Sequence, residues 1–296
     1  MNTEAEKELQ ERPQQEIKAR TLYLVGVPIG NLGDFTPRAL DILSRVDYIA
    51  CEEVQTAKRL LNSQRLQIKG TLISYRESGR EASGSNIVEL LKQGKTAAVI
   101  SGAGMPGVSD PGRDLVLKCH QEGIKVSPVP GASALTAAVA ACGLPTRRFA
   151  FEGFLPRNDG DRHKFLTSLA GEERTMLFFE APHRVLSTLQ ALREAFGNRR
   201  AFAGRELTKL FEECTLADLN FLCGKFRETE PRGEFVIAVE GLREDETARA
   251  LEEKARTEAD CEFLQSLDIS AKDKAAVLSY FRNMPKNKAK QAVMGK

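Results

Sequence analysis

From Thr21 onward, short runs of apolar and β-branched residues alternate with longer amphipathic stretches. This alternation limits the possible folds more than any other feature of the chain. Apolar runs of this kind are typical of parallel strands buried on both faces, and amphipathic stretches are typical of helices. The alternation therefore predicts βαβ units around a mostly parallel sheet. The five runs are TLYLVGVP, DYIACE, TLISY, TAAVIS and KVSPVPG.

The pattern changes after Pro130-Gly131, so we predict a domain boundary near residues 128 to 132. A helix rich in small residues, ASALTAAVAACG, is followed by strands and helices in less regular order, which predicts a mixed sheet. The chain then divides into an N-terminal α/β domain over 21–129 and a C-terminal α/β domain over 130–242. The later segments are RFAFEGF, DRHKFLTSLAG, RTMLFFE, HRVLSTLQALREAFG, RRAFAGREL and GEFVIAVEG.

Both ends of the chain differ from this α/β body. Residues 1–20 are polar, which predicts a disordered segment. Residues 243–296 begin with a charged helical stretch, and from Ala271 to the end seven Lys and Arg face one Asp. We predict a helical basic extension here. Its charge is typical either of an electrostatic arm for RNA phosphates or of a solvated terminal helix, and charge alone does not separate the two.

Composition excludes several classes of protein. The formal net charge is only +2, which argues against a protein that coats nucleic acid. Six Cys without a C-x-x-C pair and three His give no zinc spacing, so we expect reduced thiols and no metal. No signal peptide is recognisable, and no apolar run approaches the roughly 18 residues of a membrane span. We therefore expect a cytoplasmic protein.

The segment SGAGMPGVSDPG, residues 101–112, contains the glycine spacing of a dinucleotide fingerprint directly after a predicted strand. Two observations argue against that interpretation. The next helix is expected to begin at Asp110-Pro111, with Ser109 or Asp110 as N-cap, and the strand KVSPVPG carries no ribose-binding carboxylate. The glycines still allow the backbone to approach a ligand closely. We call residues 101–112 the glycine loop.

Two further sequence motifs are incomplete, because each lacks a required glycine. Gly94-Lys95-Thr96 resembles the end of a nucleotide-triphosphate loop, but Glu89 stands where its first glycine is required. The sequence from Gly131 to Leu135 lacks the closing glycine of a hydrolase nucleophile elbow.

Polar and small residues also follow other predicted strands. They occur in Pro28-Ile29-Gly30-Asn31, Phe178–Arg184, Arg205–Lys209 and Gly233-Glu234-Phe235. Each could be a structural turn or ion pair by itself. Together with the glycine loop they indicate a ligand site between two domains.

These segments together resemble the tetrapyrrole-methylase superfamily of S-adenosylmethionine-dependent methyltransferases, and within it the branch that methylates ribosomal RNA. The resemblance extends over roughly residues 21 to 241. It rests on LYLVGVPIGNLGDFTPRAL, AGMPGVSDPG, PVPGASALTAA, GLPTRRFAFEGFLPR, FFEAPHR, RELTKLFEE and GEFVIAVEG.

The resemblance implies a two-domain α/β fold, a homodimer, and S-adenosylmethionine bound in the cleft between the domains. Backbone of the glycine loop would contact the methionine part and the adenine edge, and Phe179 and Leu207 would form apolar walls. The residues implied for cofactor binding are Pro28, Gly102, Gly104, Met105, Val108, Ser133, Ala134, Phe179, Leu207 and Glu234.

The resemblance also implies a substrate, a cytidine ribose 2′-hydroxyl of small-subunit ribosomal RNA. Such a hydroxyl is a weak nucleophile and can lose its proton to a carboxylate, histidine or lysine as it attacks. By residue type the candidate proton acceptors are Glu53, Glu77, His183, Glu206 and Lys209. Sequence spacing does not rank them.

The chain departs from the superfamily pattern mainly in the first domain. Val54, Gln55 and Thr56 stand where the family has Thr-Arg-His, Ser78-Gly79 replaces His-Asn, and Gly102 and Met105 replace Asp and Thr. Loss of an arginine removes a fixed cation that could bind phosphate. Three alternatives follow: the same target with an altered site, a small-molecule substrate such as a tetrapyrrole, or a cofactor- or ribosome-binding protein with little or no activity.

Overall fold

The computed structural model describes residues 16–76, 79–110, 112–242, 256–257, 259–282, 284–285, 289–290 and 292–293. The chain forms two compact units, Met1–Gly241 and Leu242–Lys296. Most of the segment predicted to be disordered, residues 1–15, lies outside the described residues. Of the rest, Ile17 packs against a core cluster and the Lys18 N–H donates to the Tyr23 hydroxyl at 3.0 Å.

The first part of the larger unit has the predicted parallel sheet. Its strands lie side by side in the order β3-β2-β4-β1-β5, and every neighbouring pair is parallel. The elements are β1 Thr21–Val25, α1 Pro37–Arg45, β2 Tyr48–Cys51, α2 Val54–Ser63, β3 Thr71–Ser74, α3 Arg80–Lys92, β4 Thr96–Ile100, α4 Arg113–Gln121 and β5 Lys125–Val129. A short 3₁₀ turn, Leu32–Asp34, precedes α1. We call this part the first lobe.

Both faces of this sheet are buried. Tyr23 and Val25 point to one core cluster with helix α1, whereas Leu22 belongs to the cluster on the opposite face. Helix α1 begins after Thr36, whose side chain accepts a hydrogen bond from the Ala39 N–H. Burial on both faces explains why the central strands β1, β2 and β4 are mostly apolar runs.

The rest of the larger unit contains the predicted mixed sheet, in the order β6-β7-β10-β8-β9. Only β6 and β7 are parallel, and the other pairs are antiparallel. The elements are α5 Ala134–Ala141, β6 Phe149–Phe154, α6 Asp159–Ser168, β7 Thr175–Glu180, α7 Val185–Phe196, β8 Arg200–Arg205, β9 Glu213–Asp218, α8 Leu219–Glu228 and β10 Phe235–Val239. A 3₁₀ turn, Pro182–Arg184, joins β7 to α7. We call this part the second lobe.

The sequence analysis did not identify β9 or α8. Strand β9 lies at the edge of the sheet and begins and ends with carboxylates, which weakens its pattern. Helix α8 contains Gly224 but has a recognisable start, since Asp218 accepts from the Phe221 N–H at 2.8 Å.

The smaller unit has a core of its own. A helical segment over residues 259–266 and helix α9, Ala271–Phe281, contribute to it. Among the described residues of this unit, the buried side chains of the core are Cys261, Leu264, Ala275, Leu278, Ala289 and Val293. The predicted helical C-terminal end is confirmed for these segments, whereas residues 243–255 lie outside the described part. No described helix is long and apolar enough to cross a membrane.

Candidate functional site

Strands β1 and β4 are neighbours in the sheet. From β1 the chain continues to β2, on the far side of β4, and from β4 it continues to β5, on the far side of β1, so the two connections leave in opposite directions. Ligands of open parallel sheets bind at such a switch point, outside the carboxyl ends of the strands. Here the two connections are joined by backbone hydrogen bonds, from Val27 N to Gly104 O at 2.9 Å and from Gly104 N to Val27 O at 3.1 Å. The glycine loop is therefore fixed against the exit of β1.

The glycine loop turns through left-handed backbone at four described residues. Gly104, Gly107 and Gly112 have φ values of 75°, 83° and 147°, and Ser109 has φ 60°. Helix α4 begins at Arg113 with Gly112 at the N-cap. The predicted start at Asp110-Pro111 was therefore wrong, and neither Ser109 nor Asp110 caps the helix. The left-handed turn at Gly112 separates Asp110 from the helix, so its side chain lines a cavity instead.

The exit of β1 also touches the start of the second lobe. A Cβ on Gly26 would lie 2.5 Å from Met105 Sδ, 2.7 Å from Gly131 N and 2.8 Å from Gly131 Cα. Real Cβ atoms do not approach backbone so closely, so only glycine fits here. The two lobes meet through backbone at this point.

Three strand ends of the second lobe face the glycine loop. Because β10 runs antiparallel to both β7 and β8, its first residue, Phe235, lies opposite Glu180 at the end of β7 and Arg205 at the end of β8. One end of the mixed sheet, where β7 and β8 end and β10 begins, thus carries the segments that the sequence analysis singled out at 178–184, 205–209 and 233–235. We call this end the edge of the mixed sheet.

A cavity of about 430 Å³ lies between the glycine loop and this edge. Its volume is within the usual range for a small-molecule or cofactor site. The lining is Ile29, Ala103, Gly104, Met105, Val108, Ser109, Asp110, Ser133, Ala134, Phe154, Phe179, Glu180, Ala181, Pro182, Gly204, Leu207, Lys209, Glu234, Phe235 and Val236.

Aromatic side chains form one wall of the cavity. The Phe179 ring packs edge-on against Phe151 at 4.8 Å and against Phe154 at 5.7 Å between centroids. A bulge between Phe151 and Gly153 shifts the register of β6 and turns Phe154 outward, where it is half exposed. An apolar face of this kind suits a flat ring system.

Lys209 joins two carboxylates at the cavity edge. Its Nζ lies 2.8 Å from Glu206 Oε1 and 3.0 Å from Glu234 Oε2, and the Glu234 N–H donates to Glu206 Oε1 at 2.8 Å. The stem of Lys209 covers Gly30, at a position where a Cβ would collide with it. The loop after β8 is thereby fixed to the loop after β1.

Hydrogen bonding sets the protonation of this network. Partial burial disfavours the charged forms of both Lys209 and Glu206. The bonds to Glu206 and Glu234 outweigh burial and raise the pKa of Lys209, while the bonds from Lys209 and the Glu234 N–H lower the pKa of Glu206. Lys209 is therefore an ammonium at neutral pH and cannot accept a proton.

Glu180 is a buried carboxylate in the cavity wall. Its Oε2 accepts from the Thr188 hydroxyl at 2.6 Å, and its Oε1 accepts from the Ala181 N–H at 2.9 Å and lies 3.5 Å from Arg184 Nε. The Arg184 guanidinium also donates to the carbonyls of Leu155 and Pro156. The turn after β7 is thus fixed to the end of β6.

Most residues implied for cofactor binding meet in the cavity. Its lining includes Gly104, Met105, Val108, Ser133, Ala134, Phe179, Leu207 and Glu234. Pro28 is buried one residue before Ile29, which lines the cavity in its place. Gly102 instead lines a smaller cavity of about 50 Å³ with Cys51, Glu52, Glu53, Thr56, Ala57, Leu60 and Ser101.

The structure separates the candidate proton acceptors. Lys209 lines the cavity, and Glu206 accepts a hydrogen bond from Lys209 but does not belong to the lining. His183 is exposed in the turn after β7, outside the lining, and Glu53 pairs with Arg76 at 3.3 Å beside the smaller cavity. Glu77 lies outside the described residues.

The sequence analysis missed one titratable side chain of the lining that bears on proton transfer, Asp110. Partial burial and, secondarily, the negative charge of Glu52 raise its pKa to about 6. The signal was present in the sequence, since Asp110 follows three glycines after a strand, but we assigned it to the helix cap. It also missed the buried Glu180.

Comparison with known proteins identifies this architecture. The family model described as tetrapyrrole (corrin/porphyrin) methylases matches residues 21–220. The chain belongs to the tetrapyrrole methylase family. Among solved structures, this methylase is similar to diphthine synthase (TM-score 0.56, 16% identity, 75% of this chain and 90% of that one). It is also similar to a cobalt precorrin-4 methyltransferase (TM-score 0.55, 16% identity, 75% and 95%). At these identities the likeness concerns the fold.

Two relatives of this methylase share far more sequence. Both are named ribosomal RNA small subunit methyltransferase I. The relative from Thermotoga maritima is 46% identical over 220 residues, covering 74% of this chain and 98% of the relative. The relative from Bacillus subtilis is 38% identical over 273 residues, covering 92% and 93%.

The cofactor of this methylase is S-adenosylmethionine, and the residues present fit it. Apolar walls from Phe179, Leu207 and Val236 suit the adenine ring. The lining carries three carboxylates and one lysine: Asp110, Glu180 and Glu234 against Lys209. This excess of negative charge suits a ligand with two positive groups, a sulfonium and an ammonium, and one carboxylate. Beside Met105, which lines the cavity, the backbone at Gly26 and Gly131 approaches too closely to admit a Cβ on Gly26.

Proposed function

We propose that this methylase transfers a methyl group from S-adenosylmethionine to the 2′-hydroxyl of a cytidine ribose in small-subunit ribosomal RNA. The observation that carries the proposal is the match, over 74% to 92% of the chain, to relatives named ribosomal RNA small subunit methyltransferase I. The family match, residues 21–220, also includes most of the lining of the large cavity. Methyl transfer to ribosomal RNA is supported by the relatives' name, and the ribose position is our inference.

The bound cofactor supplies a methyl group already activated on sulfur, so the chain's contribution is positioning and electrostatics. Phe154 and Phe179 form an apolar wall on one side of the cavity. Lys209, held by Glu206 and Glu234, ties the loop after β8 to the first lobe and preserves the width of the cavity. The Glu180–Arg184 pair fixes the turn after β7.

We further propose that the protein acts as a homodimer in the cytoplasm and that its two α/β domains divide between residues 129 and 130. The ribosomal substrate supports the cytoplasmic location. The change at Pro130-Gly131 from a parallel to a mixed sheet supports the boundary. Neither a tetrapyrrole substrate nor a protein without activity is favoured by a specific observation.

The test is transfer of radiolabelled methyl to naked small-subunit RNA and to assembled small subunits, both prepared from cells that lack this activity. We expect label in the small-subunit RNA. Nucleoside mass spectrometry should place it on a cytidine ribose, and the labelled phosphodiester should resist alkaline cleavage. Large-subunit RNA is the control. Label on a base would contradict the ribose assignment, and no label in either substrate would contradict the function.

We also propose that the smaller unit contributes phosphate contacts. Lys272 and Lys290 are exposed there, and Lys286 and Lys288 lie close to them in sequence. Removal of residues 271–296 would also remove helix α9 and most of the unit's core, so charge neutralisation is the cleaner experiment.

Replacing these four lysines by glutamine should weaken RNA binding at low salt. It should also reduce the slope of log K against log salt by up to about 3, at roughly 0.7 per lost contact to a single strand. The measurement is RNA affinity across a salt series. The matched control carries glutamine at four exposed lysines of the first lobe, Lys58, Lys69, Lys95 and Lys125. Equal slopes in the two variants would contradict the contact.

A further inference from the structure

The hydroxyl proton of the acceptor needs a base, and the titratable groups in the cavity differ in whether they are free to take it. Glu180 is engaged by Thr188, the Ala181 N–H and Arg184, and Glu234 is bound to Lys209. Lys209 itself is already protonated. No histidine belongs to the lining. These contacts leave Asp110.

Asp110 has the surroundings that a proton acceptor requires. Its carboxylate lines the cavity, is half-buried, and accepts no hydrogen bond from any residue in the described part of the chain. It belongs to the glycine loop, which is fixed to β1 by the Val27–Gly104 pair. The neighbouring Ser109 lies against the β6 bulge, where its Oγ would be 3.6 Å from a Cβ on Gly153. The carboxylate is thus held at the junction of the two lobes.

We propose that Asp110 is the catalytic base that accepts the proton of the acceptor hydroxyl. This inference rests on the proposed function. The O–H bond breaks and its proton passes to an Asp110 carboxylate oxygen. The acceptor oxygen forms its bond to the methyl carbon as the carbon–sulfur bond breaks, with that electron pair remaining on sulfur. The products are an ether, a neutral thioether and a protonated Asp110, which then releases its proton to solvent.

The charges around Asp110 keep its carboxyl basic enough for this role. Partial burial disfavours its ionised form, and Glu52 at the end of β2 adds a negative charge. Arg76 does not neutralise Glu52, because it donates to the Glu52 carbonyl at 3.0 Å and pairs with Glu53. At the cavity edge Lys209 pairs with both Glu206 and Glu234, which leaves one net negative charge in that group, and Glu180 is paired with Arg184. A base with a pKa near 6 is ionised at neutral pH and still accepts a proton effectively.

The first experiment needs no turnover. Carbon-detected NMR of the protein without cofactor, with the resonance assigned through Asp110→Asn, should show the Asp110 carboxyl titrating near pH 6. Glu52→Gln should lower its pKa, and Glu53→Gln should leave it unchanged. Titration near the ordinary value of about 3.8 would overturn the proposal.

The second experiment separates catalysis from cofactor binding. Asp110→Asn should reduce kcat by about 10² to 10⁴ fold. Its affinity for S-adenosylmethionine, measured by calorimetry, should stay within about threefold, since the base acts on the acceptor. The wild-type rate should rise with pH through about 6 and then level. The Asn variant should lack this rise, and Glu52→Gln should move it to lower pH.

A thermal melt checks that the variant folds. In the wild type the folded state binds more protons at Asp110 than the unfolded state between about pH 4 and 6, so stability falls as pH rises through that range. Asp110→Asn removes this decline and should melt no lower than the wild type above pH 6.

Two outcomes would overturn the base assignment alone: a variant rate within threefold of wild type, or a large loss of cofactor affinity with kcat retained. The second result would make Asp110 a cofactor ligand. A wild-type protein that binds S-adenosylmethionine but methylates no RNA would overturn the proposed function and the base assignment together.

Discussion

Replacing Gly26 by alanine is expected to weaken the binding of S-adenosylmethionine and to destabilise the larger unit by about 1 to 3 kcal/mol. The new Cβ would lie 2.7 Å from Gly131 N and 2.8 Å from Gly131 Cα. Backbone atoms cannot rotate away as a flexible side chain can. The two lobes would have to separate where Gly26 meets Gly131, and Met105, which lines the cavity, would have to move.

Gly102→Ala, in the glycine loop after β4, is a matched control. A Cβ there has no atom within 4 Å, and Gly102 has no left-handed φ. Cofactor affinity should therefore stay within about twofold. Calorimetric titration of both variants, with chemical denaturation to measure stability, makes the comparison. If Gly26→Ala binds as tightly as Gly102→Ala, the close approach at Gly26 does not shape the cofactor site.

Replacing Glu180 by alanine is expected to cost about 3 to 5 kcal/mol of stability, because it breaks a buried, hydrogen-bonded ion pair. The Glu180 side chain is fully buried and that of Arg184 is 16% exposed. Truncation would leave the Thr188 hydroxyl, the Ala181 N–H and part of the Arg184 charge without their acceptor. For a unit of this size the melting temperature should fall by roughly 10 °C.

Two further variants define the cause. Glu180→Gln keeps an acceptor but removes the charge, so its cost should be smaller. Glu230→Ala removes the same atoms from an ion pair whose side chains are 77% and 78% exposed, and should change stability by no more than about 0.5 kcal/mol. A loss below 1 kcal/mol for Glu180→Ala would show that the buried pair contributes little beyond filling space.

Local pattern was enough to predict the first lobe. Its three central strands, β1, β2 and β4, are mostly apolar runs because helices cover both faces of the sheet, and such runs are visible in the sequence itself. The edge strands β3 and β5 are partly exposed. The second lobe was harder. Strand β9 has one exposed face and charged ends, and the turn into α8 depends on a single cap at Asp218. An edge strand gains much of its stability from a neighbour that sequence does not reveal.

The lining of the cavity was predictable where motif and backbone coincide, as at Gly104, Phe179 and Leu207. The direction in which a side chain points was not predictable from the sequence. Asp110 resembled a helix cap in sequence, and only the left-handed turn at Gly112 shows that it belongs to the cavity. Likewise Glu53 and Lys209 were equivalent candidates by residue type, but one lies beside the smaller cavity and the other in the large one.

The sequence by itself determined the βαβ alternation, the change to a mixed sheet after Pro130, and the strand-end motifs that resemble the methylase family. These properties depend on local periodicity and on residues close together in the chain. The tertiary structure decided the contact of Gly26 with Gly131, the binding of Lys209 to Glu234, and the position of Asp110 between the lobes. Those depend on how segments far apart in sequence pack, which local pattern does not contain.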